Sequence, residues 1–318
     1  AIQKMNDAFR NREALFFAIS FDMNHCWAGT PLEAMQSGIL FNFNNKKNHH
    51  AQPSGEVDIQ LQKSPVGFAE YEKSFNAVTH NIKRGNSYLV NLTASTPVKT
   101  NANLPEIFHH AKAKYRLLFK NDFVVFSPET FIRITGNEIS TYPMKGTIDA
   151  GMPNASNIIL NSPKEMAEHA TIVDLLRNDL SRHATNVSVK RFRYIDTIYS
   201  NHKELLQVSS QITGRIEDEQ LKNMGNVIFD MLPAGSISGA PKEKTLKIIE
   251  QAETHQRGYY TGIAGYYDGY TLDSCVLIRY IENQNGKLVY KSGGGITALS
   301  NAKNEYNELI DKIYVPNR

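Results

Sequence analysis

The sequence specifies an α+β protein rich in antiparallel sheet, on three observations. Strand-like runs follow one another across short turns at Asn121-Asp122, Thr135-Gly136-Asn137, Asp268-Gly269 and Asn285-Gly286, where the turn residues favour hairpins. Helical patterns stand singly between groups of strands, which disfavours a doubly wound parallel sheet. At 318 residues and 41% hydrophobic content the chain can bury a sizeable core, and neither a linker nor a short-period repeat divides it. We expect one domain over residues 1–318.

In chain order, Leu15 to Met23 reads as a strand, and the polar stretch Asn42 to Gly55 as a loop or flexible edge. Apolar residues at helical spacing from Phe68 to Arg84, stopped by Gly85 at a C′ position, predict a helix. Ser87 to Thr96 follows as a strand. Asn103-Leu104-Pro105-Glu106 has the capping-box pattern and opens a helix to about Tyr115. Hairpin strands occupy Arg116 to Tyr142. Ser162-Pro163-Lys164-Glu165 joins a capping box to proline at N1 and starts a helix from Pro163 to about Leu180. Strands at Val187 to Tyr199 and Leu205 to Ile216 precede helices at Gln220 to Met231 and Lys242 to Ala252. Antiparallel strands fill Tyr259 to Tyr290, and a helix from Ala302 to Tyr314 closes the series.

Composition narrows the function. The net charge is +3 with basic residues scattered, which argues against a nucleic-acid footprint. No apolar run approaches the ~18 residues of a membrane-spanning helix, and Ala1 to Met5 lacks the pattern of a secretory signal. Cys26 and Cys275 lie far apart, match no metal-ligand spacing and read as reduced thiols. A cytoplasmic location without membrane association is expected.

The chemistry-bearing residues begin with Lys145, in Pro143-Met144-Lys145-Gly146-Thr147, with Ser127-Pro128-Glu129 one hairpin upstream. A lysine beside a turn glycine, with a carboxylic acid nearby, can act as a nucleophile paired with a proton donor. This requires burial or a neighbouring cation to favour the neutral amine; a solvated surface lysine is the other reading. Glu165 with Glu168, and Glu305 with Glu308, each fall on one face of a helix. Together they could ligate a hard cation such as Mg²⁺, or each could be a solvated face. Lys312 is either the i,i+4 partner of Glu308 or an anion ligand. The small-residue loop Pro233 to Lys242 allows close backbone approach to a ligand, or simply joins two helices. Gly293, Gly294 and Gly295 could offer bare N–H groups to a carboxylate, or form a flexible turn. Arg279, in the strand-like run Val276 to Tyr280, needs a carboxylate partner from a ligand or from the protein.

Taken together, Ser127 to Glu129, Pro143 to Thr147, Lys164 to His169, Asp174-Leu175-Leu176-Arg177-Asn178-Asp179, Pro233 to Lys242, Arg257-Gly258-Tyr259-Tyr260 and Gly293 to Gly295 resemble, in type and order, the motifs of the chorismate-utilising enzymes. The resemblance runs from about Phe68 to the C-terminus. It implies two large, mainly antiparallel sheets packed together with helices outside. It further implies Mg²⁺ held by Glu168 and Glu308, with Glu165 and Glu305 as near or water-mediated ligands. Gly146, Thr147, Tyr260, Arg279, Gly293, Gly294, Gly295 and Lys312 would fix the two carboxylates of chorismate. Glu129 would protonate the departing C4 hydroxyl, and Lys145 would add to C2.

Within the family, lysine at the Lys145 position resembles the aminodeoxychorismate synthases, whereas anthranilate synthases resemble Pro-Ile-Ala-Gly-Thr in this segment. Water-using members carry a lysine base where Leu89 stands here. The resemblance therefore implies a transferase that makes 4-amino-4-deoxychorismate for p-aminobenzoate and folate synthesis. Its ammonia would come from a separate glutamine amidotransferase subunit. The alternatives are an anthranilate synthase component I activity, or a non-catalytic carboxylate-binding protein on the same fold. Three features depart from the pattern: Gln207 replaces a family histidine, Leu89 replaces a common glutamine, and the portion before about residue 67 is short, with no counterpart of the tryptophan-sensing motif.

Overall fold

A computed structural model describes residues 1–50, 55, 57–200 and 203–316. Among them, two nine-stranded sheets form the scaffold. In the first sheet the order is Met144–Asp149, Lys203–Arg215, Glu138–Thr141, Thr130–Thr135, Thr271–Val276, Ile263–Tyr267, Leu15–Ile19 and Cys26–Gly29, with Thr185–Ser200 also paired to Lys203–Arg215. In the second it is Gly239–Ala240, Leu89–Thr100, Lys287–Ile296, Tyr280–Gln284, Phe123–Ser127, Tyr115–Phe119, Ile39–Phe43 and Lys46–Lys47, with Leu61–Lys63 on Leu89–Thr100. The pairings are antiparallel, as the hairpin-rich sequence leads one to expect.

Alternation of apolar side chains gives each sheet two buried faces. Between the sheets, Phe16, Ala18, Ala264 and Cys275 of the first meet Phe41, Phe43, Tyr115 and Val125 of the second. Phe16 stacks on Phe41 with ring centroids 4.8 Å apart, and each such buried ring contributes about 1.5–3 kcal/mol. The outer face of the first sheet is covered by helices Ile2–Asn11, Pro163–Ser181 and Met224–Met231 through Met5, Phe9, Val173, Leu180 and Ile228. Helices Phe68–Lys83, Lys242–Ala252 and Ala302–Asp311 cover the second through Phe75, Val78, Ile249 and Leu309. The result is an α+β fold of two packed antiparallel sheets with helices outside. The first 67 residues take part: Leu15–Ile19 pairs with Ile263–Tyr267, and Ile39–Phe43 with Tyr115–Phe119.

Several boundaries move for identifiable reasons. The helix opened by Asn103 and Glu106 has its capping box but ends at His110, because Tyr115 is drawn into a strand opposite Phe43. The helix expected over Gln220 to Met231 is two helices, Asp218–Lys222 and Met224–Met231, broken at Asn223. The stretch expected as a loop from Asn42 begins as a hairpin, with Asn44 and Asn45 both at positive φ; residues 51–54 and 56 lie outside those described. Gly293 to Gly295 is not a turn but the end of the strand Lys287–Ile296, paired with Asn91 to Thr93. Cys26 is exposed, Cys275 is buried, and both are free thiols. Among the described residues no helix is long and apolar enough to cross a membrane.

The largest departure concerns Arg279. It does not lie inside a strand: Thr271–Val276 belongs to the first sheet and Tyr280–Gln284 to the second, so Leu277-Ile278-Arg279 is a crossing between them. Arg279 makes the turn at φ 55°. A second crossing, Pro128-Glu129, joins Phe123–Ser127 to Thr130–Thr135 directly alongside. The two are stitched together by Val276 N donating to Glu129 O (3.1 Å) and Phe126 N donating to Arg279 O (3.1 Å). Topology thus places the acid and the arginine side by side.

Candidate active site

Four elements converge beside these crossings. The strand Met144–Asp149 carries Lys145, Gly146 and Thr147, and its register against Lys203–Arg215 shifts between Met144 and Thr147. Gly146 takes φ 83° at that irregularity, a conformation glycine adopts without a Cβ penalty. Helix Pro163–Ser181 starts where Ser162 accepts from Glu165 N (3.3 Å) and presents Glu165 and Glu168. Helix Ala302–Asp311 starts where Asn301 accepts from Lys303 N (3.0 Å) and Asn304 N (3.2 Å), and presents Glu305 and Glu308. The glycine-rich end of Lys287–Ile296 forms the remaining wall.

Together they enclose a cavity of about 340 Å³ lined by Lys145, Gly146, Thr147, Glu165, Glu168, Arg279, Gly295, Glu305, Glu308 and Lys312, with Asp311 and Tyr314. Lys145 Nζ lies 3.8 Å from Glu168 Oε2, and Lys312 Nζ lies 2.7 Å from Glu308 Oε1. Lys312 also donates to the carbonyl of Gly293 at 2.9 Å. The glycines are where side chains would intrude. A Cβ on Gly295 would sit 2.9 Å from Lys145 Nζ and one on Gly146 2.7 Å from Glu165 Oε2, whereas one on Gly294 would make only ordinary contact, 3.5 Å from Glu305 Oε2. Gly293 differs, since its Cβ would strike Thr93 on the neighbouring strand.

Glu129 lies beside this cavity, partly buried. Burial raises its carboxyl above the ordinary range, while a hydrogen bond from Ser236 and the charges of Arg279, Lys145 and Lys312 pull the other way. Tyr260 is buried in the layer between the sheets, its ring 5.7 Å from that of Tyr280, and burial raises its phenol. It stands behind Arg279 rather than on the cavity wall. Arg279 lies 5.4 Å from the centroid of the Tyr314 ring. Arg279 and Tyr314 also border a larger, aromatic-walled cavity of about 790 Å³ that includes Phe126, Tyr142 and Tyr194.

Four further residues support the site, and sequence reasoning gave none of them this part. Ser236 donates to Glu129 Oε1 at 2.7 Å. Gln207 donates to the carbonyl of Gly146 (3.2 Å) and accepts from Thr147 Oγ1 (3.3 Å), holding the turn beside Lys145. His169 is fully buried, with Nε2 2.7 Å from Ser210 Oγ, and burial, helped by Arg193, pushes its pKa down to about 4. Tyr314 was expected only as a helix end. Of these, Gln207 stands where the resemblance expects a histidine, and His169 and Ser236 lie inside the motifs Lys164 to His169 and Pro233 to Lys242, whereas nothing local in the sequence marks Tyr314.

Glu165, Glu168, Glu305 and Glu308 are the residues on this cavity that could hold a hard cation such as magnesium. Among the described residues no group of three or more His, Cys, Asp or Glu side chains is placed to hold a metal ion by itself. Two carboxylate-bearing helix faces on one cavity suit an ion that takes few protein oxygens and leaves positions for water and substrate.

Residues 10–318 match the family model described as chorismate binding enzyme. The chain is 46% identical over 316 residues to an uncharacterized PabA-like protein of Haemophilus influenzae, covering 99% of this chain and 96% of that protein. It is 31% identical over 260 residues to aminodeoxychorismate synthase component 1 of Salmonella typhimurium, covering 77% of this chain and 56% of the relative. The crystal structure of anthranilate synthase component I from Streptococcus pneumoniae shares the fold, with TM-score 0.66 at 24% identity over 85% of this chain and 62% of that one. The chain belongs to the chorismate-binding enzyme family, whose members bind and convert chorismate. The match begins at residue 10, well before Phe68, in keeping with the strands that the first 67 residues give to both sheets.

Proposed function

We propose that the protein is the synthase subunit of an aminodeoxychorismate synthase, converting chorismate and ammonia to 4-amino-4-deoxychorismate and water. The observation that carries the reading is the placement of Lys145: its amine faces the same cavity as both glutamate pairs, with Glu129 alongside. Arg279, Lys312, Thr147 and the backbone of Gly146, Gly294 and Gly295 bind the two carboxylates of chorismate. Gly293 contributes by seating Lys312, and Tyr260 by backing Arg279.

Glu129, whose carboxyl burial raises above the ordinary range, gives its proton to the C4 hydroxyl, which leaves as water. As that bond breaks, the nitrogen lone pair of Lys145 adds to C2, and both double bonds of the ring diene move one position toward C4. Ammonia then adds at C4, both double bonds return to their original positions, and the C2–N bond breaks with its electron pair going back to the lysine. Ammonia loses one proton in the process, which restores Glu129. Glu168 and Glu308, with Glu165 and Glu305 through water, would hold magnesium. When bound, magnesium supplies positive charge against the ring carboxylate. The ammonia comes from a glutamine amidotransferase subunit.

The test is product identification by mass after mixing purified protein, chorismate, magnesium and ammonium. A product of 4-amino-4-deoxychorismate, lost in Lys145→Ala with chorismate binding kept, supports the reading. Anthranilate with released pyruvate, or full turnover in Lys145→Ala, overturns it.

A further inference from the structure

We propose that Ser236 is a positioning residue that fixes which oxygen of Glu129 carries the transferable proton; this rests on the acid role given to Glu129 above. Ser236 Oγ donates to Glu129 Oε1 at 2.7 Å. A carboxylic acid accepts at its carbonyl oxygen and keeps its own proton on the other. The contact therefore makes Oε1 the acceptor and leaves Oε2 as the donor. Without the hydroxyl the carboxyl loses the side-chain hydrogen bond that tells its two oxygens apart, so the donor oxygen is less firmly aimed.

The serine is itself held from both sides. It sits in the four-residue helix Gly235–Ser238, whose Ile237 carbonyl accepts from Arg257 Nη1 at 2.9 Å, while Ser238 Oγ donates to Ala234 O at 2.9 Å. Arg257 pairs with Glu253 at 2.7 Å, both side chains only 3% exposed. On the other side, a Cβ on Gly235 would lie 2.9 Å from Asp179 Oδ2 and 3.0 Å from Leu175 Cγ. Gly235 is therefore pressed against the helix that presents Glu165 and Glu168. A buried ion pair on one flank and a catalytic helix on the other leave Ser236 little freedom, which is what aiming a carboxyl requires.

The charged and titratable groups facing Glu129 are Arg279, Lys145 and Lys312, with Tyr260 and Cys275 behind. The three cations favour the carboxylate, and so does the Ser236 hydrogen bond. Removing the hydroxyl therefore moves the loss of activity at alkaline pH to higher pH, even as turnover falls. A residue that merely filled space would not move that limb.

The experiment measures kcat, KM for chorismate and the pH profile of kcat for wild type, Ser236→Ala, Ser236→Thr and Glu129→Gln, with ammonium as nitrogen source and thermal melts as a folding check. Expected for Ser236→Ala are a kcat lower by about tenfold or more, a KM within about twofold, and the alkaline limb shifted upward. Ser236→Thr, which keeps the donor, recovers most of the loss. Should Ser236→Ala fail to fold, Ser236→Cys takes its place, with the same loss expected from its weaker donor. Wild-type kcat and pH profile in Ser236→Ala, or equal losses in the Thr and Ala (or Cys) variants, overturns the proposal. Full turnover in Glu129→Gln instead removes the acid role itself, so the two failures are distinguishable.

Discussion

Replacing Gly146 by alanine tests whether the turn beside Lys145 and the carboxylate of Glu165 form one unit. Two effects are separable. Gly146 has φ 83°, and forcing an L side chain into the left-handed region costs about 1–2 kcal/mol. The new Cβ would also fall 2.7 Å from Glu165 Oε2, while Ile159 Cδ1 at 3.4 Å is close to ordinary contact. The overlap is with the far end of a flexible side chain, so relieving it costs little stability but displaces that carboxylate. Gly286 is the control, with φ 87° and nothing within 4 Å of its Cβ position. Both alanine variants should therefore lose about 1–2 kcal/mol in urea unfolding, with unchanged m. Only Gly146→Ala should also need more magnesium for half-maximal activity, by about tenfold, the scale on which a disturbed supporting contact weakens a metal site. Equal destabilisation with identical magnesium titrations would refute the link between Gly146, Glu165 and the cation.

Three further outcomes follow from the same geometry. Arg257→Met leaves buried Glu253 without its counter-charge, held only by Thr93, and removes bonds to the carbonyls of Ile237 and Asn91. It should cost about 3–5 kcal/mol in urea unfolding, and a loss below about 1 kcal/mol would mean the pair is not buried as described. Glu308→Gln should weaken the magnesium dependence of activity, and a wild-type metal titration would remove Glu308 from the ligand set. Glu129 gives a pH signature. Its folded pKa is raised above the unfolded value, so between the two the folded state binds more protons and stability falls as pH rises. Glu129→Gln should flatten that decline from the ordinary carboxyl range upward, and parallel stability–pH curves for the two proteins would contradict it.

What could be read from the sequence was local. Gly85 stops its helix at φ 75°, Ser162 caps the helix that bears Glu165, and Asn103 with Glu106 forms a true capping box. Each depends on residues three or four apart. The opening helix Ile2–Asn11 escaped notice because no side chain caps it, and its burial of Met5 and Phe9 depends on Met224–Met231, more than two hundred residues away. Val276 to Tyr280 reads as one unbroken strand because apolar residues flank Arg279 on both sides. Only the pairing of its two ends with different sheets shows the break at Leu277 to Arg279. The same holds for the site. The spacing of Glu165 with Glu168, and of Glu305 with Glu308, was plain, but that both pairs border one cavity is a long-range fact. Ser236 meets Glu129 across 107 positions, a distance no local pattern spans.

The two adjacent crossings act as tie-rods bolted through both leaves of the molecule. Because Glu129 rides on one rod and Arg279 on the other, any slip of one leaf past the other would shift the proposed proton source relative to the proposed anion clamp. Reactivity is then geared to how tightly the aromatic filling between the leaves is wedged. Thinning that filling far from the cavity, at Phe16 or Phe41, would detune the chemistry well before the protein melts.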